Sequence, residues 1–107
     1  MSLQVRQTES EHLLDVFRAL ADPVRTGIMA RIVGTDELAC TVLEDAVAVT
    51  KSTISYHVKI LYRAGLISIR KEGRYYFYSA RRDEINEVLP GLLERLAEFP
   101  VETSASV

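Results

Sequence analysis

Ile54, Val58 and Leu61 share one face of a short helical segment, which leaves Lys51, Ser52, Ser55, Tyr56, Lys59 and Arg63 on the opposite side. Short hydroxyls, a phenol and cations at that spacing hydrogen-bond base edges and phosphates. A helix so equipped fits the major groove of a duplex, entering with its N-terminal half. Thr50 and Ser52 also suit the capping of the helix start, and Thr53 completes the hydroxyl set. DNA contact is therefore expected of Thr50, Lys51, Ser52, Thr53, Ser55, Tyr56, Lys59 and Arg63. Just downstream, Arg70, Lys71 and Arg74 cluster at the tip of a hairpin, where cations meet the backbone or the minor groove.

The overall charge of −2 argues against a polyanionic partner until its distribution is considered. From Thr50 to Arg74 six cations (Lys51, Lys59, Arg63, Arg70, Lys71, Arg74) face only Glu72, a net of +5 that leaves −7 for the remainder. A basic face on an acidic body is the footprint of an oriented nucleic-acid binder. Charge alone leaves open a merely solvated face.

The elements that position these residues follow from pattern. The Thr8–Glu11 capping-box spacing opens a first helix from about Ser10 to Ala21, carrying Leu13, Phe17 and Leu20 on one face, with residues 1–8 frayed. Asp22-Pro23 starts a second helix that stops at Gly34. Glu37–Thr41 reads as extended, and Thr41 with Glu44 repeats the capping spacing for a short third helix. Thr50 caps the fourth, which ends at Gly65, a residue suited to the left-handed terminal position. Only about three residues separate the third and fourth helices, the tight link of a helix-turn-helix. Leu66–Arg70 and Tyr75–Ser79 flank Lys71-Glu72-Gly73-Arg74 as a two-stranded wing. Ile85, Val88, Leu89, Leu92, Leu93, Leu96 and Phe99 then mark a fifth helix from about Asp83 to Phe99, kinked at Pro90-Gly91. The last residues, 100–107, read as a disordered tail.

The expected fold is thus mainly α with a small β-hairpin (α+β): one winged helix-turn-helix domain, about five helices plus a two-stranded wing. At 107 residues it forms a single domain that gains from dimerisation. The fifth helix carries more apolar surface than a compact core covers. Leu13, Phe17, Leu20, Val88, Leu89, Leu92, Leu93 and Leu96 are therefore expected to form a homodimer interface, setting two reading helices over successive major grooves of a palindromic operator.

No apolar run approaches the roughly 18 residues of a membrane span, the N-terminus lacks a signal-peptide pattern, and one cysteine fits a reducing cytoplasm. An enzyme is not expected: there is no phosphate loop, and Ser55 and His57, two apart on a helix, do not face one another. His57 should pack against the apolar face, Cys40 reads as a small buried residue, and His12 beside Glu11 and Asp15 reads as a solvated polar face.

These features together resemble the ArsR/SmtB family of winged-helix repressors. The resemblance rests on FRALADPVRTGIM, ELACTVLEDAV, VTKSTISYHVKILYRAGLI and EGRYYFYS, most of residues 13–79 in order. It implies a homodimeric repressor that leaves its operator when an effector binds, with Thr50–Ala64 reading the major groove and Ile67–Tyr78 as the wing. Many members sense metals. One class has two cysteines around the start of the third helix, where this chain has Ala39 and Thr41 on either side of Cys40. Another has ligands that match Arg82, Glu84, Arg95 and Glu98, and two arginines repel a divalent cation. No metal and no cofactor are therefore expected, while a pocket between the first and fifth helices remains a place for an unidentified small molecule. The competing reading is a winged-helix protein-interaction module without DNA binding.

Overall fold

The computed structural model describes residues 2–101, with side chains from residue 10 onward. Helices α1 (Ser2–Ala19) and α2 (Pro23–Val33) precede a short strand β1 (Leu38–Ala39). The helical pair α3 (Cys40–Ala46) and α4 (Lys51–Arg63) follows, then the hairpin β2 (Ile67–Glu72) and β3 (Tyr75–Ala80), and finally α5 (Arg82–Val88) and α6 (Leu92–Ala97).

Local chemistry explains the boundaries that matched expectation. The Asp22 carboxylate accepts the Arg25 amide hydrogen at 2.8 Å, and Pro23, whose missing N–H costs nothing in a first turn, follows it into α2. Thr50 accepts the Thr53 N–H at 3.2 Å and opens α4. Gly65 ends that helix at φ +77°, and Gly73 turns the hairpin at φ +63°.

Four boundaries differ from the pattern reading. The first helix begins at Ser2 and ends at Ala19, so Thr8 lies inside it rather than at its cap. Gln, Arg and Glu in that stretch are good helix formers, and Leu20–Ala21 turn the chain toward Asp22. The wing is a three-stranded antiparallel sheet of order β1-β3-β2, in which Leu38 and Ala39 pair with Tyr78 and Phe77. That pairing carries the chain straight from Ala39 into α3 at Cys40, with no side-chain cap, so Thr41 sits within the helix. Finally, the expected 83–99 helix is two helices. Pro90 has no N–H to continue the ladder, and Gly91 at φ +93° turns the chain, so the sequence breaks where a kink was expected. Of the expected tail, residues 102–107 lie outside those described.

The core gathers Val16, Ile28, Met29, Ile32, Leu43, Leu61, Leu66 and Ile67, all fully buried. Ile54 and Val58 join Leu61 on the inner face of α4 as expected. The expected interface set divides. Leu93 and Leu96, at 7% and 4% exposure, belong to the protomer's own core, because the break at Pro90-Gly91 folds α6 back onto α2. Leu20, Val88, Leu89 and Leu92 are half-buried against that core, and Leu13 is half-buried on α1. The inward residues of α1 are Val16 and Ala19, while Phe17 at 49% and the unanticipated Leu14 at 47% stay exposed.

Candidate nucleic-acid interface

Burying Ile54, Val58 and Leu61 determines what α4 shows to solvent. Lys51, Ser52, Ser55, Tyr56, Lys59 and Arg63 are all exposed, Tyr56 at 61%. Thr50 is also exposed and Thr53 half-buried, but their hydroxyls serve the helix start. The Thr50 hydroxyl lies 2.8 Å from that of Thr53 and 3.1 Å from that of Ser52. Lys51 stands 3.9 Å from Glu44 on α3, a loose surface pair of little energetic weight. Among the described residues Lys59, Arg63 and Arg74 have no ion-pair partner.

The wing distributes its cations unevenly. Arg74 is exposed at the turn, and Lys71 lies with its ammonium 5.7 Å from the centre of the Tyr76 ring. Arg70, by contrast, is occupied. Its Nε and Nη2 donate to the two oxygens of Glu37 at 2.9 and 2.8 Å, its Nη1 to Glu72 at 3.0 Å, and its guanidinium rests 4.5 Å above the Phe77 ring. This fork raises the pKa of Arg70 and lowers that of Glu37, in both cases chiefly through the hydrogen bond they share. Arg70 therefore braces the wing against the segment leading into β1. Sequence spacing gave no sign of Glu37, which lies 33 residues away and arrives only through the β1–β3 pairing. Tyr75 and Tyr76, both exposed on β3, are further groups that the pattern reading did not single out.

The remaining chemistry-bearing residues lie away from this surface. His57 is buried under α4 as expected; burial, more than the opposing pull of Asp22, lowers its pKa. His12 is not a solvated surface group. Its Nε2 lies 3.1 Å from the Ala64 carbonyl at the end of α4 and packs where a side chain on Gly65 would go. Cys40 is buried, with its sulfur accepting the Tyr76 N–H at 3.4 Å, and burial pushes the nearby Tyr78 phenol up to about 12. Arg82 donates to the carbonyls of Val33 and Thr35 at 2.8 and 3.3 Å, tying α5 to the end of α2. Arg81 bonds Glu84, and Arg95 and Glu98 are exposed. Among the described residues no three His, Cys, Asp or Glu side chains come together. A shallow groove between α1, α5 and α6 is lined by His12, Val16, Leu66, Ile85, Val88 and Leu92, among others.

Comparison with known proteins places this arrangement. The Helix-turn-helix domain family matches residues 20–70. The chain is 35% identical over 95 residues to the HTH-type transcriptional regulator YceK of Bacillus subtilis, covering 88% of this chain and 95% of that protein. It is 36% identical over 73 residues to the arsenical resistance operon repressor of the same organism, covering 68% and 70%. Among solved structures, an ArsR-like transcriptional regulator from Rhodococcus superposes with a TM-score of 0.66 at 30% identity, over 81% of this chain and 80% of that one. HlyU from Vibrio cholerae superposes with a TM-score of 0.68 at 28% identity, over 82% and 94%.

Proposed function

The chain belongs to the ArsR/SmtB family of winged helix-turn-helix transcriptional regulators, and on that premise we propose that it is a homodimeric repressor released from a palindromic operator by an effector. The observation that carries the DNA contact is the outer face of α4. It offers hydroxyls, a phenol and unpaired cations, where a module built to bind protein would expose apolar side chains. Ser52, Ser55, Tyr56, Lys59 and Arg63 contact bases and phosphates, Lys71 and Arg74 hold the flanking backbone, and Thr50 with Thr53 fixes the helix start. Arg70 acts as a brace rather than as a phosphate contact.

Dimerisation rests on Leu14 and Phe17, two exposed apolar side chains on α1, beside the half-buried Leu13, Leu20, Val88, Leu89 and Leu92. Leu93 and Leu96 have no part in it. The repressor role is supported by the relative named as an arsenical resistance operon repressor. No helix among the described residues is long and apolar enough to cross a membrane, which fits work on cytoplasmic DNA. The experiment is titration of a fluorescent duplex from upstream of the protein's own gene. Wild-type protein binds it, and Tyr56→Ala with Lys59→Ala abolishes binding while the chain stays folded by circular dichroism. Unchanged affinity in that folded variant overturns the assignment.

A further inference from the structure

One buried titratable group and its partners join three elements. Arg25, in the first turn of α2, spends its guanidinium in three directions. Nε donates to the Ala19 carbonyl at 2.5 Å and Nη2 to the Arg18 carbonyl at 3.0 Å, both at the C-terminal end of α1. Nη1 lies 3.1 Å from Nδ1 of His57 on α4. The other imidazole nitrogen, Nε2, faces the Asp22 carboxylate at 3.9 Å, the same carboxylate that caps α2. The charged groups facing His57 are thus Arg25 and Asp22, both at the start of α2; on α4 itself Tyr56 sets its ring edge-on at 5.4 Å, and on α1 the Arg18 side chain is turned away to Asp15.

Donor chemistry fixes the proton. A guanidinium has only donors, so Nδ1 must present a lone pair and the hydrogen of a neutral imidazole must sit on Nε2, toward Asp22. A second proton would set an N–H and a positive charge against Arg25 across 3.1 Å, on an imidazole that is itself only 7% exposed. His57 sits on α4, the helix that carries Ser55, Tyr56 and Lys59, and the Arg25 guanidinium is hydrogen-bonded to the end of α1, the helix that carries Leu14 and Phe17.

We infer that Arg25 is a positioning residue and His57 a proton gate. With His57 neutral, the guanidinium locks α4 to the end of α1 and to α2; with His57 protonated, that lock opens and the protein loosens its hold on DNA. The inference rests on α4 being the helix that contacts DNA. Its direction is diagnostic, because acidification adds positive charge to a protein and by itself tightens binding to a polyanion.

The test has two arms. In the first, ¹⁵N NMR of the full chain reads the tautomer and titration of His57, with His12→Asn assigning the second of the two histidines. At neutral pH His57 is the Nε2–H tautomer, and Arg25→Gln, which removes a cation, raises its pKa. An Nδ1–H tautomer, or a pKa indifferent to Arg25→Gln, overturns the gate. The second arm measures affinity for the upstream duplex from pH 7.5 to 5.5. Wild type weakens by about tenfold, within the ordinary range of coupling between sites. His57→Asn, which keeps an acceptor near the Nδ1 position but takes no proton, gives a flat profile, and His12→Asn keeps the wild-type one. Arg25→Lys, lacking the fork, shows reduced affinity and a weakened pH response. Wild-type affinity that rises on acidification, or His57→Asn that follows wild type, refutes the inference. Failure of wild type to bind any duplex instead refutes the DNA-binding assignment and leaves the NMR arm to judge the lock.

Discussion

The salt dependence of DNA binding separates the two arginines of the wing. Affinity for duplex DNA falls with salt at a slope of about −0.9 per phosphate neutralised, on logarithmic axes. Arg74 is exposed at the turn and has no ion-pair partner among the described residues, whereas Arg70 gives three donors to Glu37 and Glu72 at 2.8 to 3.0 Å. The proposed dimer would present each residue twice. Arg74→Ala should therefore make the slope shallower by about 1.8. Replacing Arg70 and Glu37 together with glutamine removes one charge of each sign and should change the slope by less than about 0.5, since no phosphate contact is lost. Fluorescence anisotropy of the upstream duplex, repeated from about 50 to 200 mM KCl, gives both slopes. If the glutamine pair flattens the slope as much as Arg74→Ala, the fork opens on DNA and Arg70 is a contact after all. If Arg74→Ala leaves the slope alone, the wing tip does not touch the backbone.

Further outcomes follow from packing and titration. Phe17→Glu should yield a monomer by sedimentation with protomer stability within about 0.5 kcal/mol of wild type, while Leu93→Ala should cost the protomer about 2–5 kcal/mol in denaturant unfolding; the reverse would restore Leu93 to the interface. Gly27, inside α2 with open space within 4 Å of where a side chain would begin, should gain about 0.5–1 kcal/mol as alanine. Gly65→Ala should lose about 1–3 kcal/mol, because φ is +77° there and the new methyl would meet His12 Nε2 at 3.2 Å. Acid lability should report His57. Its folded-state pKa is lowered, so the unfolded chain takes up that proton first as pH falls. The contribution is complete above about 6.5 and is lost as the pH drops through the lowered value; His57→Asn should flatten that limb of a thermal-melt series.

Features set by nearest neighbours in the chain were legible in the sequence, and features set by distant ones were not. Asp22-Pro23, Thr50, Gly65 and Gly73 each act on their own backbone, so their roles followed from residue type alone. The inner face of α4 was legible because burial of Ile54, Val58 and Leu61 repeats at helical spacing. Glu37 reaching Arg70, and Arg25 reaching His57, depend on pairings 33 and 32 residues apart that no local pattern encodes. The apolar run after Ile85 misled for a related reason. Periodicity continues through Pro90-Gly91, but backbone chemistry there breaks the helix, and the second half turns inward with Leu93 and Leu96. Thr8 and Thr41 show the converse error, in which cap spacing is present but the helix has already begun.

Hydroxyl-radical footprinting on the upstream DNA tests the central claim, that α4 and the wing of two protomers grip a palindromic site. Two protected patches centred about 10 base pairs apart, or a multiple of that spacing, are expected. Both should disappear together when Tyr56 and Lys59 are replaced by alanine. A single patch, or protection that survives those two substitutions in a folded protein, would contradict it.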